Sequence, residues 1–266
     1  MGELAIWRHL VVARIRGDWQ YRTSFALTLA SQTVVAAVDL AGIAIIFGRV
    51  ERLGGWTVGQ VAFLYGLSGV AFGLVDLLVS PVELTSDHVK AGTFDRFLIR
   101  PVGPLWQLCG TEFSLRRAGR LIQPLIVLTI ACGATGIRWR PSLVLLTVLA
   151  LVAGTAIYGA IWVVTASIAF WSVDAKEVGN AFTYGGGTVT SYPVDVFAGW
   201  LRGFITFVLP LAWVAYLPGA IVYGKPIAFG LPRLAVWTVP LVALAAMAVA
   251  RGVWGAGLRQ YRSTGS

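Results

Sequence analysis

Ser86 to Arg120 reads SDHVKAGTFDRFLIRPVGPLWQLCGTEFSLRRAGR, the longest polar segment in a chain that is otherwise mostly apolar. It holds six of the 21 Lys and Arg residues, namely Lys90, Arg96, Arg100, Arg116, Arg117 and Arg120. Apolar runs flank it on both sides, so its charge is read against a membrane. A loop this basic between two apolar spans belongs on the cytoplasmic face, where Lys and Arg accumulate. Its middle, Phe94-Asp95-Arg96-Phe97-Leu98-Ile99, is predicted to form a short helix with two Phe and a Leu projecting among charges. That shape suits a groove on a partner protein. The plainer alternative is a solvated connector whose charge only sets topology.

Composition supports the membrane setting. The 266 residues are 57% hydrophobic and 12% charged, and the mean hydropathy is +0.77. A soluble domain carries about 25% charged residues. Half that, with several bilayer-length apolar runs, indicates an all-α polytopic membrane protein. A β-barrel would show short alternating strands, and these runs are continuous. The net charge of +9 lies between the apolar spans, so orientation in the membrane accounts for it and no nucleic-acid partner is expected. Cys109 lies in the basic loop and Cys132 within a span, so no disulfide is expected between them. Residues 1–22 are amphipathic and basic rather than a cleavable signal peptide, and Ile6 stands where myristoylation needs Ser or Thr.

Working outward, residues 3–22 are predicted to form an interfacial helix. Leu4, Trp7, Leu10, Val11, Ile15 and Trp19 share one face, and Arg8, Arg14, Arg16 and Arg22 lie largely elsewhere. Spans are expected at 24–47, 58–79, 118–135, 142–171, 178–192 and 234–254. Gly66, Gly69 and Gly73 give the second span a small-residue surface for close packing. The fifth span is short and glycine-rich, ending at Tyr192-Pro193, and the apolar run that follows is interrupted by Pro210 and Pro218.

That run decides the topology. With six spans, 14 Lys and Arg lie inside and 7 outside; a seventh span at 204–223 gives 13 and 8. The charge rule favours six by a small margin, and the prolines agree, since broken helices at membrane depth are tolerated where they pack on protein or line a cavity. The expected architecture is six spans, both termini cytoplasmic, a cytoplasmic loop at 86–117 and an outer re-entrant hairpin within 193–223.

The loop string Lys90-Ala91-Gly92-Thr93-Phe94-Asp95-Arg96-Phe97-Leu98-Ile99-Arg100-Pro101 resembles the permease subunits of bacterial ABC-2 type transporters, the type V exporter architecture. The outer segment Tyr192-Pro193…Trp200-Leu201…Pro210-Leu211-Ala212…Leu217-Pro218-Gly219 is similar to the same family, as is the N-terminal helix. The resemblance implies a permease of the bacterial cytoplasmic membrane that pairs with a second permease chain, identical or paralogous. It also implies docking of separate ABC ATPase subunits, which would carry the ATP and magnesium. The loop between spans 2 and 3 would then hold the coupling helix, with Phe94, Phe97 and Leu98 as apolar anchors. Lys90, Asp95, Arg96 and Arg100 would match charge on the ATPase. Tyr192, Pro193, Pro210 and Pro218 would belong to an outer gate.

Other signals are weaker. Gly219 to Pro226 imitates a phosphate-binding loop, but Pro226 replaces the magnesium-ligating hydroxyl and no strand precedes it. No nucleotide site, cofactor or metal centre is therefore expected in this chain, and no enzymatic activity of its own. Asp39, about 22 Å into the first span at 1.5 Å per residue, is expected to face protein or a translocation path. Asp76 is expected to reach the membrane interface, and Glu112 and Arg116 are spaced for a helical ion pair. The competing function is an ion-coupled secondary transporter of a hydrophobic solute, which needs ionisable residues at mid-membrane. An intramembrane enzyme would need a nucleophile with a base, and the two histidines, His9 and His88, stand apart.

Overall fold

The computed structural model describes residues 3–18, eight positions between 27 and 45, and residues 48–172 and 175–262. Most of the described residues are helical, and none belongs to an extended strand. In chain order the helices are α1 (Glu3–Asp18), α2 (Val58–Leu78), α3 (Thr85–Lys90), α4 (Asp95–Leu98), α5 (Pro104–Thr111) and α6 (Gly119–Ala134). They continue as α7 (Pro141–Ser167), α8 (Ala175–Thr190), α9 (Gly199–Gly203), α10 (Tyr216–Val222) and α11 (Val239–Gln260). The first expected span lies mostly outside the described residues; Leu27, Ala30, Ser31, Val34, Val38, Ala41, Gly42 and Ile45 are helical.

Three stretches are long and apolar enough to cross a membrane: Val58–Leu78, Pro141–Phe170 and Arg233–Gln260. A fourth candidate is a pair, Gly199–Val208 and Leu211–Val222, bent by 76° at Pro210. Helices α6 and α8 have 16 residues each, short of the roughly 20 that an upright span requires. The last apolar helical stretch contains the expected 234–254 and begins with a different geometry. Residues 233–238 form a tight turn of helix before Pro240, and α11 runs on to Gln260, past the expected end at 254.

The α2–α6 pair packs closely. Gly66, Gly69 and Gly73 recur at three and four residues, which puts them on one face. A Cβ at Gly66 would lie 2.7 Å from the Leu128 backbone, one at Gly69 2.7 Å from Pro124, and one at Gly73 2.7 Å from Leu121. The groove left by three missing side chains is what admits α6. Around this pair the core holds Phe63, Leu64 and Leu67 of α2 with Leu146, Ile157, Tyr158 and Trp162 of α7, all buried. A hydroxyl cluster crosses it: Ser68 Oγ lies 2.8 Å from Tyr158 Oη and 2.6 Å from Thr190 Oγ1, so α2, α7 and α8 share buried hydrogen bonds.

At the end of α2 away from the basic loop, Asp195 joins three segments. Trp56 Nε1 donates to Oδ2 at 3.1 Å and the Tyr216 hydroxyl donates to Oδ1 at 3.0 Å. That hydroxyl accepts the Ala228 N–H at 3.1 Å, and Arg202 Nη2 donates to the Asp195 carbonyl at 3.0 Å. Pro218, the third residue of α10, sits where a helix needs no backbone N–H.

The glycine row yields a paired prediction. Gly66→Val should lower the thermal midpoint of the detergent-purified chain, because overpacking costs about 1–3 kcal/mol. Gly133→Ala, where nothing lies within 4 Å of an added Cβ, should leave the midpoint unchanged or higher; fluorescence-detected gel filtration after heating compares the two.

Candidate functional site

A cavity of about 590 Å³ lies between α2, α6, α8 and the described residues of the first apolar segment. Ser31, Val38 and Gly42 line one wall, Tyr65, Gly69 and Phe72 of α2 another, and Gln123 and Pro124 of α6 a third. Tyr184, Gly187 and Thr188 of α8, with Ser191 and Tyr192 just beyond it, close the remaining side. The Tyr65 hydroxyl lies 2.9 and 3.0 Å from the two polar atoms of the Gln123 amide, so both groups are satisfied across the α2–α6 seam. Thr188 and Ser191 return their hydroxyl protons to the carbonyls of Tyr184 and Gly187 at 3.2 and 3.1 Å. The lining is thus part aromatic and apolar, part hydroxyl and amide. Among the described residues lining it, Arg120 is the one charged side chain.

Arg120 belongs to a buried cluster that the sequence does not announce. Asp76 has no exposed surface, which corrects the expectation that it reaches the interface. Its two oxygens are divided between two guanidinium groups: Arg117 Nη1 donates to Oδ1 at 3.2 Å and Arg120 Nη1 to Oδ2 at 3.0 Å. Ser80 Oγ donates to the Asp76 carbonyl and accepts from Arg117. The Arg120 guanidinium lies 5.9 Å from the Tyr184 ring centre, within cation–π range. Next to it, Glu83 accepts from Trp162 Nε1 and, at 3.4 Å, from the Tyr184 hydroxyl. Burial holds the Glu83 carboxyl above the usual carboxylate range, offset in part by the Trp162 hydrogen bond and the Arg117 charge.

The basic loop is folded as three short helices. Two residues beyond α3, Gly92 has a φ of 64°, the left-handed conformation glycine adopts after helix C-termini; its N–H donates to the Val89 carbonyl at 3.2 Å and that of Thr93 to His88 at 3.0 Å. The reversal aims Phe94 inward. Phe94 is 0% exposed and its ring lies 5.8 Å from Phe97, 5.3 Å from Phe170 after α7, and 5.2 Å from Tyr261 after α11. Asp95 opens α4 and accepts the Tyr261 hydroxyl proton at 2.9 Å. Beside the carboxylate, and with burial as the larger cause, the Tyr261 phenol is pushed up to about 12.

These contacts correct the expected direction of two anchors. Phe94 and Phe97 do not project; both are buried, because a phenylalanine beside a helix-ending glycine finds its apolar partners within the chain. The exposed surface of this element is Leu98 at 43%, Ile99 at 82%, and Arg96 and Arg100, with Lys90 exposed at the end of α3. Gln107 of α5 fixes α4 from behind by donating to the Phe97 carbonyl at 2.8 Å. Trp7 and Leu10 of α1 lie against Gly110 of α5, and Arg14 donates to the Thr111 carbonyl and lies 3.7 Å from Glu112. Lys176, at the start of α8, holds Asp87 of α3 at 2.8 Å.

Of the expected outer residues, Tyr192 lines the cavity, Pro193 is buried just after α8, Pro210 occupies the bend, and Pro218 is buried in α10. Asp39 lies outside the described residues. Among those described, no three His, Cys, Asp or Glu side chains are placed to share a metal ion. Sequence reasoning missed Arg117, Arg120, Glu83, Tyr184 and Tyr261 as a working set. The available signal was a lone acid in an apolar span followed, some forty residues later, by a pair of arginines entering the next.

Residues 33–265 match the family model described as ABC-2 family transporter protein. No curated protein and no solved structure matches the chain.

Two outcomes follow for the polar cluster. Asp76→Ala should cost roughly 3–5 kcal/mol, as expected when one member of a buried ion pair is removed, read as a large fall in the detergent thermal midpoint. Glu83 is favoured in its protonated form when folded, so its contribution is complete below the ordinary carboxylate pKa and is lost as pH rises through the elevated folded value. Glu83→Gln should therefore melt higher than the wild type at pH 8 and alike near pH 4.

Proposed function

The chain belongs to the ABC-2 family of transporter proteins and is a transmembrane permease of an ABC transporter; from that premise we propose that it is the permease half of an ATP-driven exporter that docks its ATPase on α4. The observation that carries this reading is the paired arrangement of α4. Its outer face shows Leu98, Ile99, Arg96 and Arg100 to solvent, and its inner face is gripped by Phe94, Phe97, Phe170 and Tyr261. An exposed apolar tip among cations is what a groove on a partner can hold. A rigid inner clasp is what transmits the partner's movement.

The route of that movement is given by the clasp's partners. Phe170 ends the α7 segment, Tyr261 follows α11, and Lys176 begins α8. Displacement of α4 would therefore shift the ends of α7 and α11, and, through Asp87 of α3, the start of α8, which walls the cavity. In this reading the loop end faces the bacterial cytoplasm with both termini. The short α6 and α8 complete six spans with the first apolar segment, and the bent pair at 199–222 forms a re-entrant outer region in which Tyr192, Pro193, Pro210 and Pro218 serve as gate. ATP and magnesium belong to the partner ATPase, a second permease chain completes the pathway, and the solute crosses through the cavity. Ion-coupled secondary transport is favoured by one observation, the half-buried carboxyl of Glu83 with its raised pKa.

The deciding experiment is affinity capture of the tagged chain from native membranes in mild detergent. The wild type should recover an ABC ATPase, and the combined change Leu98→Ala, Ile99→Ala and Arg100→Ala should lose it while the chain stays monodisperse. Phe94→Ala should instead destabilise the chain itself, by about 3–5 kcal/mol for a buried phenylalanine. If the wild type captures no nucleotide-binding partner, docking is refuted and the ion-coupled reading leads.

A further inference from the structure

The geometry points to an amphiphile with an acidic head group, carboxylate or phosphate, as the ligand of this cavity, with Arg120 as the residue that holds the head. The inference rests on reading the cavity as the solute pathway, and it adds the chemical class of the solute. A volume of about 590 Å³ falls within the range of roughly 300–1,000 Å³ typical of sites for drug-sized molecules. Phe72, Pro124 and Val38 offer an apolar wall for the body of such a ligand. The charged residue of that lining is Arg120, whose side chain keeps 36% of its surface accessible.

The one charged residue of the described lining supplies the sign. Two guanidinium groups share the single carboxylate of Asp76, each through one nitrogen. A guanidinium has five N–H donors in a planar fork that matches a carboxylate or phosphate. The nearby Glu83 is turned to Trp162 and Tyr184, and burial favours its neutral form. No acidic residue is among the described residues of the lining, so the charge offered to a ligand there is the positive one of Arg120. Asp76 and the Tyr184 ring fix where the Arg120 fork sits, so the head group meets a donor set already in place.

The test is equilibrium binding to the full-length chain in detergent, which needs no ATPase and is therefore independent of whether docking on α4 holds. The probes are a fluorescent fatty acid, its methyl ester and the amine of equal chain length. The wild type should bind the acid at least tenfold more tightly than the ester, and the amine most weakly. Arg120→Gln should abolish the difference between acid and ester while retaining ester binding, and Arg120→Lys should restore part of it. Competition by phosphatidylglycerol but not phosphatidylcholine would assign the head group to membrane lipid; absence of that competition would assign it to a free amphiphile. Equal binding of acid and ester by the wild type overturns the inference whatever the variants do. So does an undiminished preference in a folded Arg120→Gln protein.

Discussion

A carboxylate without exposed surface, divided between two arginines of the following helical segment, is the constraint on which this bundle depends. Asp76 near the end of α2 takes Arg117 and Arg120 on its two oxygens. A lone ionised carboxylate at that depth would cost several kcal/mol, so α2 and the start of α6 hold one register relative to each other. The glycine row on α2 brings the two helices close enough for that reach, since van der Waals contact between helices in lipid is greatest where side chains are smallest. Shape and charge thus fix the same pair of helices by different means. Tyr184 and Trp162 extend the polar strip to α8 and α7 through Glu83, giving four helices a shared hydrogen-bonded layer at the loop end.

The basic loop is an integral part of the bundle. Its glycine turns the chain, its first phenylalanine fills a pocket made by the ends of α7 and α11, and its aspartate caps the contact by accepting the Tyr261 proton. The string Gly-x-Phe-Asp therefore has a physical meaning apart from any partner: it is the clasp that closes the loop on the transmembrane helices. What remains for a partner is the face that the clasp leaves outside, apolar at Leu98 and Ile99 and basic at Arg96 and Arg100. An element rigid on one side and exposed on the other is the arrangement that mechanical coupling needs. At the far end Asp195 does for the bent region what Asp76 does for the loop end, gathering Trp56, Tyr216 and Arg202 around one residue.

The cavity lies between these two fixed ends. Its walls come from α2, α6 and α8, the helices that the Asp76 layer joins, and its charged residue is a member of that layer. A change in the loop end has a short path to the lining through Arg120 and Tyr184.

The amino-acid sequence by itself determined the class of protein, because a 57% hydrophobic chain with 12% charged residues has no soluble way to bury its surface. It determined the apolar stretch that forms the long helix Val58–Leu78, because hydropathy and length act locally. It determined also that Gly66, Gly69 and Gly73 form a contact face, since helical periodicity alone puts them together. The tertiary structure decided what those faces meet. Which arginines neutralise Asp76, separated from it by 41 and 44 residues, depends on how the loop folds back and not on any local spacing. The inward turn of Phe94 depends on a pocket supplied by Phe170 and Tyr261, distant in sequence. Periodicity can assign a residue to a face, but only packing determines whether that face looks onto solvent, lipid or another part of the same chain.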